Sequence, residues 1–385
     1  MSENPILNNI DFEVEQTPFY YYDMALLDRT LDAVNEASAD ARYKVHYAVK
    51  ANADMPILKA VMAKGLGADT VSGGEIQAAI EAGFKPEDIV FAGVGKSDRE
   101  IELALEAGIS CFNVESKAEL AVIAEIASRM NRVADIALRI NPDIDAHTHH
   151  YITTGLAENK FGINMELLDD VLASVAKYPS VKLTGLHFHI GSQITDNAPY
   201  ALLCERINAL QEQFEAKGYR LATINVGGGL GIDYDDPDRN PIPDFKSYFD
   251  VFRKHLILRE GQELHFELGR SIVAQCGSLI TRVLYVKEGV KKRFAIVDAG
   301  FNDLIRPALY QAHHKIQNLT STASEEEVYD VVGPICESSD VFSEDERLPL
   351  THRGDILALR SAGAYGRIMA SQYNCRPIAR GVYKD

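Results

Sequence analysis

Lys182-Leu183-Thr184-Gly185-Leu186-His187-Phe188-His189-Ile190 divides its side chains between two unlike faces. Successive residues of an extended strand point to opposite sides. Leu186, Phe188 and Ile190 therefore share one face, and His187 and His189 share the other. The same division recurs in other runs. In 136–141, Ile136, Leu138 and Ile140 oppose Ala137, Arg139 and Asn141. In 264–269, Leu264, Phe266 and Leu268 oppose His265 and Glu267. In 44–50, Val45, Tyr47 and Val49 oppose His46, Ala48 and Lys50. A doubly wound parallel sheet buries both faces and usually reads as apolar throughout. One apolar face for a helix layer and one ionisable face predict a closed barrel with a polar mouth.

The flanking sequence extends this pattern. The strand candidates are KVHYAVK (44–50), GADTVS (67–72), DIVFAG (88–93), SCFNVES (110–116), DIALRIN (135–141), KLTGLHFHI (182–190), LATINVGG (221–228) and ELHFELGR (263–270). Helical runs such as 73–83, 116–130 and 201–218 separate them. Eight β/α units over roughly 230 residues match the size of a (β/α)8 barrel. Beyond Arg270 the runs at 271–289, 293–300, 327–336 and 355–363 are β-rich with few helical signals, while 318–326 is polar and reads as a loop. The predicted class is α/β, with a TIM-like barrel over 25–270 and an all-β domain over 271–385. Residues 1–24 join the latter, because TPFYYYD (17–23) reads as a strand outside the barrel pattern.

Composition excludes several classes. A net charge of −17 over 385 residues argues against nucleic acid and anionic membranes as partners. Met1 to Gln16 lacks the basic and apolar regions of a signal peptide, and no apolar stretch is long enough to span a bilayer. The five cysteines are odd in number and widely spaced, with no CxxC. That disfavours a disulfide framework or zinc site and suits reduced thiols in the cytoplasm.

Several residues have the chemistry of a site. Lys50 ends the first strand on the inward face, where barrel enzymes place their catalysts. Desolvation there would lower its pKa and suit a Schiff base; pairing with a barrel carboxylate is the alternative. Asp54 suits the N-cap of the following helix. Gly227-Gly228-Gly229-Leu230-Gly231 follows the seventh strand, where barrels often bind phosphate. The spacing is not GxGxxG, so a dinucleotide fold is disfavoured. Glu267 suits a cofactor ring nitrogen, or an ion pair with an interior Arg or Lys. His187 and His189, with His147, His149 and His150, raise a metal site, but neither HExxH nor a clear carboxylate set accompanies them. A histidine stacked on an aromatic ring is the better reading. Cys336 beside Glu337 could serve as a general acid, or be a buried structural thiol. On composition alone, Arg306, Tyr310 and Tyr365 are ordinary surface or packing residues.

Taken together, these segments resemble the fold-type III pyridoxal-phosphate decarboxylases, over nearly the whole chain and in the family's order. Tyr47 to Asn52 resembles YAxKAN, which implies that Lys50 holds the cofactor covalently. Asp69 to Glu75 resembles the block whose aspartate lies near that linkage. His187 to Ser192 resembles HxHIGS, implying that His189 stacks on the pyridine ring and Ser192 helps bind phosphate. Gly227, Gly228 and Gly229 match the phosphate loop. Glu267-Leu268-Gly269-Arg270 resembles EPGR, implying Glu267 on the ring nitrogen and Arg270 near phosphate and substrate. Leu268 replaces the common proline, with a less rigid turn as the expected consequence.

Asp303 to Tyr310 resembles the DLxRPxLY segment of the diaminopimelate decarboxylase group. Cys336 is followed by Glu337 as in that group, and Tyr365 resembles its tyrosine that contacts phosphate and substrate. The resemblance implies decarboxylation of meso-diaminopimelate to L-lysine. Arg270 or Arg306 would take the distal carboxylate with Tyr310, and Glu337 the distal ammonium. Cys336 would protonate Cα and come from the partner subunit of a head-to-tail homodimer. Decarboxylation of ornithine or carboxynorspermidine, and cofactor binding without turnover, are the alternatives.

Overall fold

The computed structural model describes residue 10, residues 15–142, residue 144 and residues 160–384. His147, His149 and His150 lie outside the described residues. The chain divides into two compact units, one of Leu31–Gly231 with Asp244–Arg270, the other of Met1–Thr30, Ile232–Pro243 and Ser271–Asp385.

The first unit is a closed barrel of eight parallel strands. They are β2 (Tyr43–Ala48), β3 (Gly67–Thr70), β4 (Ile89–Phe91), β5 (Cys111–Val114), β6 (Ala134–Arg139), β7 (Val181–His187), β8 (Thr223–Asn225) and β9 (Glu263–Leu268). β9 closes onto β2 with Tyr43 opposite Leu264 and Tyr47 opposite Leu268. Each of the eight predicted strand runs overlaps one of these strands, with β2, β6 and β7 starting one residue earlier. Leu268 is thus the last residue of a strand, fully buried, and not part of a turn as its place in the motif suggested.

Local signals start the helices between strands. The α-helices α3 (Gly73–Ala82), α4 (Asp98–Ala107) and α5 (Lys117–Arg129) each follow a serine three residues ahead of a glutamate. Glu75 N–H donates to Ser72 Oγ at 3.2 Å, and Glu119 N–H to Ser116 Oγ at 3.2 Å. Ser97 and Glu100 form a reciprocal capping box. Each satisfies backbone donors that a helix start would leave unpaired. Asp54 occupies the N-cap of α2 (Met55–Ala63), but its side chain makes no capping hydrogen bond, so the expected cap is positional only. The apolar strand faces meet the helix layer. Phe266 packs edge-on against Phe249 and Phe252 of α8 (Phe245–His255), with ring centroids 4.8 and 5.1 Å away. Full burial of such a ring contributes about 1.5–3 kcal/mol.

The second unit is built on an eight-stranded sheet. Its path is β12 (Ile316–Asn318), β15 (Ile356–Leu359), β10 (Gly277–Glu288), β11 (Arg293–Val297), β13 (Glu326–Val332) and β14 (Val341–Pro349). β1 (Phe19–Asp23) pairs antiparallel with β10 and parallel with β16 (Arg380–Lys384). The N-terminal strand therefore belongs to this sheet. Phe19, Tyr21, Ile280, Ile356, Ala358 and Val382 share one buried cluster. The unit also holds short helical turns, including α10 (Arg306–Tyr310), so it is mostly and not purely β.

Candidate active site

The barrel interior gathers its polar residues around Glu267. This carboxylate, 7% exposed, accepts from Asn225 Nδ2 at 2.8 Å, His187 Nε2 at 3.1 Å and Asn113 Nδ2 at 3.3 Å. Burial alone would raise its pKa. His187, Lys50 and His189 more than offset that, and the group is held well below its ordinary value of 4.5. Three donors and nearby positive charge favour the ionised form.

Lys50 follows β2 in a single 3-10 turn, Val49–Ala51. Its Nζ is 3.7 Å from Asp69 Oδ2. Asp69 is fully buried, and neither of its oxygens accepts a hydrogen bond from the described residues. Burial first, and the charge of Glu267 second, push its pKa well above 3.8. The barrel thus pairs a carboxylate held ionised with one that resists ionisation. Nearby, Arg139 donates to Glu115 at 2.7 Å, and Glu115 also accepts the Gly93 and Gly162 N–H groups.

The glycine run meets its surroundings too closely for any other residue. A Cβ on Gly228 would lie 1.8 Å from the Glu267 carbonyl oxygen, inside van der Waals contact. Gly227 and Gly229 have φ of 69° and 104°, in the left-handed region. Gly228 N–H donates to His189 Nδ1 at 3.4 Å, so that nitrogen carries a lone pair. Burial, then the charges of Arg139 and Lys50, lower the His189 pKa and keep its ring neutral. Arg270 donates to Ser192 Oγ from Nη2 at 2.9 Å and from Nε at 3.3 Å. A Cβ on Gly269 would touch Ala48 and Ala51 Cβ at 3.0 Å.

The second unit places the remaining candidates. Arg306 is 6% exposed, which excludes the surface half of its reading on composition, and Tyr310 at the end of the same short helix is half-buried. Cys336 and Glu337 are exposed, so Cys336 is not a buried structural thiol within this chain. Glu337 accepts from the Tyr373 hydroxyl at 2.8 Å. Tyr365 is half-buried with a φ of 58°, a conformation costly for a non-glycine residue. None of the five cysteines forms a disulfide. Among the described residues no group of three or more His, Cys, Asp or Glu could hold a metal ion, and no helix is long and apolar enough to cross a membrane.

Comparison with known proteins agrees with this architecture. Residues 25–274 match the pyridoxal-binding domain family of the pyridoxal-dependent decarboxylases. The chain is 59% identical to the diaminopimelate decarboxylase of Bacteroides thetaiotaomicron, over 97% of each chain. The chain belongs to the diaminopimelate decarboxylase family. A crystal structure of the Helicobacter pylori diaminopimelate decarboxylase, complexed with L-lysine, superposes with a TM-score of 0.92 at 42% identity, covering 97% of this chain and 93% of that one. A lysine/ornithine decarboxylase from Vibrio vulnificus, at 22% identity and TM-score 0.84 over 97% of this chain and 96% of that one, shares the fold.

Pyridoxal phosphate is the cofactor of this family, and the barrel fits it. Lys50 offers an amine at a strand end, and Glu267 a buried anion for a protonated ring nitrogen. The backbone N–H groups around Gly227 to Gly229 could approach a phosphate closely, with Ser192 and Arg270 alongside. Sequence reading missed Asn113 and Asn225, which with His187 hold the Glu267 carboxylate. Asn225 lies two residues before the glycine run, and Asn113 sits on β5. An amide at the end of a barrel strand was the available signal. His187 donates to this carboxylate.

Proposed function

We propose that this enzyme decarboxylates meso-diaminopimelate to L-lysine and carbon dioxide, the last step of lysine synthesis. The observation that carries the reading is 59% identity, over 97% of the chain, to a diaminopimelate decarboxylase. Lys50, Glu267, Arg306, Cys336 and Glu337 stand in that family's motifs.

When bound, pyridoxal phosphate supplies the electron sink for decarboxylation. The protein's own groups do the rest. Lys50 would provide the amine that holds the aldehyde, with Asp69 beside it. Glu267, kept ionised by Asn113, Asn225 and His187, would keep a proton on the ring nitrogen. His189, neutral, would serve the ring face. Gly227, Gly228, Gly229, Gly269, Ser192, Arg270 and Tyr365 would seat the phosphate. Arg306 and Tyr310 bind the substrate's distal carboxylate and Glu337 its distal ammonium, with Arg270 and Tyr365 also reaching the substrate. Cys336 delivers the proton to Cα.

We place the enzyme in the cytoplasm, a reading supported by five thiols outside any disulfide. Its working form is a homodimer in which Cys336 and Glu337 serve the partner chain's barrel. Their exposure in the single chain supports this. Lys50→Ala and Cys336→Ala chains, each inactive, should then restore about a quarter of wild-type activity when paired at random, because half the dimers carry one intact site. No recovery in verified mixed dimers refutes the shared site. The activity itself is tested by carbon dioxide release from meso-, LL- and DD-diaminopimelate, ornithine and carboxynorspermidine. Release from ornithine or carboxynorspermidine but not meso-diaminopimelate refutes the assignment.

A further inference from the structure

His314 is 1% exposed, and both of its ring nitrogens are engaged. Nδ1 lies 2.8 Å from the Arg360 carbonyl oxygen, and Nε2 lies 2.9 Å from Arg306 Nη1. A carbonyl can only accept and a guanidinium can only donate. Nδ1 therefore carries the proton, and Nε2 offers its lone pair to Arg306. The face of the same guanidinium lies over Tyr234, with Cζ 5.3 Å from the ring centroid. Tyr234 meets His314 edge to face at 5.3 Å and 85°. Arg360 is itself fixed, through Nη1, by Gln317 Oε1 at 2.7 Å and Asp238 Oδ1 at 2.9 Å.

We infer that His314 is a positioning residue for substrate selection: it holds the plane of the Arg306 guanidinium so that the fork meets the distal carboxylate in one orientation. The inference rests on the assignment of Arg306 to that carboxylate. A planar fork recognises a carboxylate through two parallel hydrogen bonds, so the plane decides affinity as much as the charge does. An arginine fixed in advance loses little freedom on binding. A carboxylate-free ligand has nothing to gain from the arrangement.

The test uses holoenzyme and two probes with the same spacing between their two amines. L-Lysine keeps the distal carboxylate; cadaverine lacks it. His314→Phe preserves much of the ring shape and removes the acceptor. It should raise KM for meso-diaminopimelate about tenfold, with kcat within about twofold. Inhibition by L-lysine should weaken by a similar factor, and inhibition by cadaverine should stay unchanged. His314→Gln, which restores an acceptor near Nε2, should return KM to within about threefold of wild type. If His314→Phe does not accumulate as holoenzyme, His314→Asn, which keeps a donor towards Arg360 and drops the acceptor, takes the same measurements. Unchanged KM and L-lysine inhibition in the acceptor-free variant, while Arg306→Ala weakens both, overturns the role of His314 alone. If Arg306→Ala also leaves L-lysine inhibition unchanged, the assignment of Arg306 fails, and the inference fails with it. Equal weakening of L-lysine and cadaverine overturns the orientation argument.

Discussion

Removing the Asp69 charge should stabilise the cofactor-free protein while abolishing efficient turnover. Asp69 is fully buried, and neither oxygen accepts a hydrogen bond from the described residues. Its cationic neighbour, Lys50, is 3.7 Å away with 40% of its side chain exposed. A pair that long and that wet is worth about 0–1 kcal/mol. Leaving a buried polar group unsatisfied costs about 1–3 kcal/mol, and more for a charge. The penalty wins. Asp69→Asn should therefore gain about 1 kcal/mol in the apo form, or about 2–4 °C in melting temperature for a unit of this size. The folded pKa of Asp69 is raised above 3.8. Its contribution to stability is thus fully present below 3.8 and is lost as pH rises through the raised folded value. The gain from Asp69→Asn should accordingly be larger at pH 8 than at pH 5. Calorimetry of both apo proteins at the two pH values measures it. An Asp69→Asn variant that melts at or below wild type at pH 8, or gains equally at both, refutes the reasoning. Such a trade of stability for function is common at active sites.

Three further outcomes follow from the geometry. Glu267→Gln should lower kcat on the order of 100-fold in cofactor-saturated enzyme, because it removes a preorganised charge; steady-state assays showing less than a threefold loss would contradict its role. Gly228→Ala, whose Cβ would sit 1.8 Å from the Glu267 carbonyl, should cost about 1–3 kcal/mol by urea denaturation, and an unchanged midpoint would show that the loop can yield. His46 is buried, with Nδ1 at 3.2 Å from the Asp88 carbonyl and Nε2 at 3.1 Å from His265 Nδ1. Burial, then His265, lowers its pKa from 6.5 to about 3. A depressed histidine supplies stability above 6.5 that is lost as pH falls towards 3. His46→Asn should flatten the pH dependence of unfolding across that window, and an unaltered slope would exclude His46 as its source.

Alternation and local capping were decisive for the architecture. Phe266 and Glu267 are adjacent, yet one must face helices and the other the interior, because side chains alternate along a strand. Serine followed three residues later by glutamate starts a helix from the backbone's own unpaired donors. These effects act within a few residues, so the eight strands, the strand at the N-terminus and the switch to β structure after Arg270 were all legible in the chain. The partners of Glu267 were not. Asn113, His187 and Asn225 come from three strands, up to 154 positions from the acid they hold. The opposed ionisation of Asp69 and Glu267 depends on burial, on the charge of Glu267 acting on Asp69, and on His187 and Lys50 acting on Glu267, which no local pattern encodes. Nor does any motif show that Tyr234 and His314 grip one guanidinium. Periodicity is a property of neighbours along the chain, whereas desolvation and hydrogen-bond partnership exist only once distant segments have closed around a charge.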